Sequence, residues 1–158
     1  MKLSELIANG AIVTQLKSQD RTGAVHELID ALVASGAAAA VHRDELITRV
    51  LDRERLGSTG FGRGVAVPHV KHKSVKKMGA AIGLSTAGIE FNSLDKQPVY
   101  SVFLLLSPED RPDEHLLAME VIFKNLSKDT FRRFLRQATT DAEVRSLLED
   151  ADTQQIAG

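Results

Sequence analysis

The chain has 158 residues, 43% of them apolar and 26% charged, which fits one domain around a single core and excludes a disordered chain. With 20 basic and 21 acidic residues the net charge is −1, so no field of one sign points to nucleic acid or a membrane surface. Cysteine and tryptophan are absent and aromatics make up 4%, which excludes disulfides, thiolate metal sites and an aromatic stacking platform.

The start, MKLSELIANG, lacks the apolar centre of a signal peptide, and no stretch has the length to span a bilayer, so the expected setting is the cytoplasm. A short strand is expected near Ala11–Leu16. Val25, Leu28, Ile29 and Leu32 recur at helical spacing after Asp20, a suitable N-cap. Leu46, Ile47, Val50 and Leu51 mark a second helix, and Gly57 is a natural stop beyond it. The period then changes. Val65–Val67, Gly79–Leu84 and Val99–Leu106 are short apolar runs bounded by Gly, Pro, Ser and Asp, and the last, VYSVFLLL, reads as a strand covered on both faces. After Ser107 helical signals return. Pro112 suits a first helical position, with Asp113 and Glu114 in the first turn, and Thr140 with Glu143 forms a capping pair for a last helix. The sum is an α/β fold: a single-domain sandwich whose central mixed β-sheet is flanked by helices on both faces. Residues 1–150 form the domain and 151–158 a frayed tail.

The stretch GSTGFGRGVAVPH, Gly57 to His69, is the most informative. Glycines there cost backbone entropy, and Pro68 removes a ladder donor, so the segment reads as an unusually shaped loop, a short strand and a histidine at its exit. Imidazole can act as a nucleophile, and glycine-rich turns can aim backbone N–H groups at an anion. Of the other histidines, His26 and His42 read as solvated surface groups. His69 and His72 in HVKH have a spacing that suits metal ligation on a helix, but Pro68 opposes a helix and no thiolate or carboxylate completes the set; no metal and no cofactor is expected.

The run ERLGSTGFGRGVAVPH resembles the active-site signature of the EIIA domains of the bacterial phosphotransferase system, in the fructose–mannitol class, and is most similar to the nitrogen-regulatory EIIA proteins. The likeness extends from about Leu3 to Leu148 and includes RERLGSTG, the apolar strand followed by SPED, and the helix start DEHL. It implies that His69 accepts a phosphoryl group from an HPr-like phosphocarrier, that Arg53 pairs with phosphoryl oxygens, and that His115 approaches from a neighbouring element. Ser58, Thr59, Gly60 and Gly62 are the expected phosphate cradle. The implied partners are the HPr-like donor and either regulatory target proteins or an EIIB domain, with no nucleic acid and no membrane insertion. The length leaves no room for a fused membrane or EIIB domain, which favours a regulatory output. A sugar-specific EIIA subunit of a fructose/mannitol-type transporter, or an unphosphorylated interaction module of the same fold, are the alternatives. Val70 departs from the small residue that the family usually has after its active histidine; a β-branched side chain there is expected to crowd the site and hinder donor docking.

Overall fold

Helix signals in the sequence translate into helices wherever a local cap supports them. A computed structural model describes residues 1–153. After helix α1 (Leu3–Ala8) and strand β1 (Ala11–Val13), helix α2 (Arg21–Ala34) begins where the Asp20 carboxylate accepts the Gly23 N–H at 2.8 Å. A single 3₁₀ turn, Ala40–His42, leads into α3 (Arg43–Leu56), which stops at Gly57. Strands β2 (Val65–Ala66), β3 (His69–His72), β4 (Gly79–Ile89) and β5 (Val99–Pro108) follow. Pro112 opens α4 (Pro112–Leu126); α5 (Asp129–Gln137) and α6 (Asp141–Asp152) complete the chain, with Thr140 Oγ1 accepting the Glu143 N–H at the start of α6.

The sheet is mixed. β1 lies parallel to β4, β4 antiparallel to β5, and both β2 and β3 parallel to β5 on its far side. Alternation along the strands divides the core between two faces. Val102, Leu104 and Leu106 of β5 pack with Val25, Leu28 and Leu32 of α2 and Leu46 and Val50 of α3. Phe103 and Leu105 pack with α1, α4, α5 and α6 through Leu6, Ile122, Phe131 and Leu148. β5 is buried along nearly its whole length because it has strands on both sides and helices on both faces. The expected sandwich is therefore the observed one.

The differences are local. β4 runs to Ile89 and β5 to Pro108, longer than their apolar runs, while β2 ends at Ala66. His69 does not sit on a loop at a strand exit; it opens β3, paired with Leu105. α1 and α5 lacked a clear local signal. Ala151 and Asp152, placed by sequence in a tail, end α6: Asp152 Oδ1 accepts the Leu3 N–H at 2.7 Å and ties the helix to the start of α1. The remainder of the expected tail, 154–158, lies outside the described residues.

Candidate functional site

β3 is an edge strand, so α3 on one face and α4 on the other can both reach around it. Burial along β3 alternates: His69 half-buried, Val70 buried, Lys71 exposed, His72 buried. His69 and Lys71 therefore turn toward α4, and Val70 and His72 toward α3. The result is a cleft of about 300 Å³ lined by Arg49, Arg53, His69, Val70, Lys71 and His115. Arg53 follows Arg49 by four residues, one helical turn, so both guanidinium groups come from one stripe of α3. The histidine rings of His69 and His115 lie 5.4 Å apart, tilted by 56°. The three residues singled out by sequence for chemistry, His69, Arg53 and His115, thus line one cleft. Arg49 and Lys71 were missed; the four-residue spacing to Arg53 and the period of two from His69 could have revealed them.

His69 Nδ1 lies 2.9 Å from the Val67 carbonyl oxygen. A carbonyl only accepts, so Nδ1 carries the proton and Nε2 keeps its lone pair. Burial, first of all, holds the His69 pKa below the usual histidine range; the Val67 hydrogen bond opposes this, and the charge of Arg53 reinforces it. His115 is pushed down to about 4 by burial and by its neighbours His69 and Lys71. Arg53 Nη1 donates to the Gly57 carbonyl at 2.7 Å, which anchors the guanidinium at the end of α3.

Ser58, Thr59, Gly60 and Gly62 do not line this cleft. Glu54, buried one residue after Arg53, accepts both the backbone N–H and the hydroxyl of Thr59. Ser58 Oγ donates to the Phe91 carbonyl and accepts from Gly60 N–H. The loop then docks on the β4–β5 connection, where the Gly60 carbonyl accepts from Leu94 N–H at 2.7 Å and Arg63 N–H donates to Asp95. Gly62 and Gly64 have φ of +118° and +78°, conformations that a side chain would strain. The glycines serve a tight turn that delivers β2 and β3 to β5.

Val70 also differs from the expected crowding residue. Its side chain is 5% exposed and belongs to the core on the α3 face, with Leu104 and Leu106. It borders the cleft but does not present a surface to a docking partner. Val70→Gly would remove a buried side chain, at a cost of about 2 kcal/mol, rather than relieve a clash. His42, expected in solvent, is half-buried with its ring 5.7 Å from that of His72, which is fully buried.

Over residues 5–151 the chain matches the family described as "Phosphoenolpyruvate-dependent sugar phosphotransferase system, EIIA 2". It belongs to that family. The nitrogen regulatory protein of Klebsiella oxytoca is 31% identical over 161 residues, spanning 99% of this chain and 96% of that one. The fructose-specific EIIABC component of Bacillus subtilis is 29% identical over 96% of this chain, which corresponds to only 24% of that longer protein. Among solved structures, nitrogen regulatory protein IIA-Ntr from Neisseria meningitidis has a TM-score of 0.78 at 28% identity, over 92% of this chain and 98% of its own. Enzyme IIA-mannitol of Escherichia coli, solved in complex with phosphorylated enzyme IIB-mannitol, shares the EIIA fold with a TM-score of 0.74 at 23% identity, covering 87% and 93%. No helix among the described residues is long and apolar enough to cross a membrane.

Proposed function

We propose that this EIIA protein is a phosphohistidine carrier, with His69 Nε2 as the acceptor and a phosphohistidine of an HPr-like protein as the donor, acting in the cytoplasm. The observation that carries the reading is the Nδ1–Val67 bond, which leaves Nε2 bare in a cleft with three cationic side chains. The Nε2 lone pair forms the new N–P bond while the donor's N–P bond breaks, and the donor nitrogen keeps the electron pair. The proton stays on His69 Nδ1, donated to the Val67 carbonyl throughout, so no proton has to move in the transfer. The transferred group carries charge on its peripheral oxygens, and transfer is governed by position and electrostatics. Arg53, fixed by Gly57, supplies a planar pair of donors, and Arg49 and Lys71 add charge around it. His115 lies close enough to donate to a phosphoryl oxygen. In this reading Ser58, Thr59, Gly60 and Gly62 hold the frame that places β3 rather than the phosphate itself.

The near full-length match to a nitrogen regulatory protein supports a regulatory output, in which partners read the phosphorylation state. An EIIB partner is the second reading, supported by the EIIABC relative and by the mannitol complex. The test is intact mass after incubation with Enzyme I, HPr and phosphoenolpyruvate. A gain of one phosphate that is labile to acid and stable to alkali supports the carrier reading. An unchanged mass under conditions where HPr itself is phosphorylated refutes it.

A further inference from the structure

Ser107 sits on β5 opposite Lys71 and is fully buried. Its hydroxyl lies 2.7 Å from Nδ1 of His115 and has no other side-chain or backbone partner among the described residues. A hydroxyl can donate or accept here, and the two choices put the proton of neutral His115 on opposite ring nitrogens. If His115 donated from Nδ1, the Ser107 proton would be stranded in the core with nothing to accept it, at the cost of desolvating a donor. If Ser107 donates, both groups are satisfied and the imidazole proton moves to Nε2. Arg21 Nη1 and His72 Nε2 are the only described side-chain polar atoms both sealed from solvent and unpartnered. His115 Nε2 makes no hydrogen bond among the described residues and is not sealed, so it opens on the cleft that His115 lines.

We infer that Ser107 is a positioning residue, which fixes His115 as the Nε2–H tautomer and so aims a donor at the group carried by His69. The two histidines then present complementary atoms: an Nε2 lone pair on His69, set by the Val67 carbonyl, and an Nε2–H on His115, set by the Ser107 hydroxyl. The opposite tautomer would turn a lone pair toward the phosphoryl oxygens and repel them. Ser107 touches no substrate atom. It acts through the ring of His115.

The inference rests on the carrier reading for its consequence but not for its geometry, and the experiment separates the two. Long-range ¹H–¹⁵N correlation of the imidazole nitrogens in the unphosphorylated protein should show His115 with a protonated Nε2 and an unprotonated Nδ1. In Ser107→Ala the same spectrum should shift toward a mixture of tautomers, and phosphoryl transfer from phosphorylated HPr should slow by about fivefold, the worth of one hydrogen bond. Ser107→Cys, a weaker donor in the same place, should fall between. A parent protein with its His115 proton on Nδ1 overturns the assignment without any variant. So does a Ser107→Ala protein that keeps the Nε2–H tautomer and transfers at the parent rate. A parent protein with the expected tautomer that takes up no phosphate counts against the carrier reading and leaves the role of Ser107 in setting the ring intact.

Discussion

Strand β3 carries two histidines three residues apart, and each meets a second histidine from a neighbouring segment. His69 and His115 stand 5.4 Å apart with rings tilted by 56°; His72 and His42 stand 5.7 Å apart, tilted by 52°. The two pairs have similar ring separations and tilts, yet His69 and His72 hold their protons on opposite nitrogens. His69 Nδ1 donates to a carbonyl, which frees the Nε2 lone pair in an open cleft. His72 Nδ1 accepts the Ser74 N–H at 3.0 Å, so the proton of its neutral form belongs on Nε2, sealed in the core 3.2 Å from Glu45 Oε1 and off the line of a hydrogen bond. Glu45, Arg49 and Arg53 lie on successive turns of one stripe of α3, with Glu45 against His72 and the arginines at the cleft of His69. A carboxylate stands beside one histidine, whereas arginines beside the other give its cleft a positive lining. The partner of Nδ1 decides which ring can be a nucleophile.

The broadest way to break this contrast is to remove each histidine in turn. His69→Ala should accept no phosphate while remaining folded, because the side chain is half-buried at an edge. His72→Ala should still accept phosphate but lose about 1–3 kcal/mol of stability, since it empties a core position and strands the Ser74 N–H. Intact mass and chemical denaturation of both variants check this; a phosphorylated His69→Ala protein, or an unphosphorylated but stable His72→Ala protein, would dissolve the distinction.

Acid should expose the cost of keeping the site neutral. The folded-state pKa of His115 is held at about 4, below the unfolded value near 6.5. The unfolded chain therefore binds the proton first, and the contribution of this group is complete above pH 6.5 and lost as the pH falls toward 4. The loss is on the order of 3 kcal/mol. Denaturation midpoints measured from pH 7 to 4.5 should fall more steeply for the parent than for His115→Gln, and parallel curves would contradict the burial argument.

A smaller effect sharpens the contrast along α3. Arg53→Lys should slow transfer about tenfold, nearly as much as Arg53→Ala, because the planar fork is lost along with its hold on Gly57. Glu45→Gln, at the other end of the stripe, should leave the transfer rate near that of the parent. Equal rates for all of these proteins would remove the guanidinium from the site.

What the sequence disclosed follows how local each cause is. Asp20, Gly57, Pro112 and Thr140 act within a turn of their own helices, and each boundary was legible. α1 was not, because its first N–H groups are met by Asp152 from the far end of the chain. HVKH has little of the composition of a strand; it becomes one because β5 offers a parallel partner, which no local pattern announces. The same strand formation turned Val70 into the core. Within the site, Arg53 and His115 came from family resemblance. Arg49 and Lys71 needed only periodicity. The work of Ser107 and the Val67 carbonyl depends on contacts that periodicity does not encode.

The placement of β3 also has a consequence in time. β4 and β5 form an antiparallel hairpin across a short connection, whereas β3 joins β5 in parallel, with His69 opposite Leu105. Closing that longer loop costs more chain entropy, and only one side of β3 is paired, so the strand should be added after the hairpin exists and be the first to leave it. His69, the proposed acceptor, would then be assembled by the final step of folding, and in the carrier reading a chain that has not finished cannot take a phosphate. Native-state hydrogen exchange should show the paired β3 amides opening at lower free energy than those at the centre of β5, such as Phe103; equal protection would mean that the hairpin and β3 close as one unit.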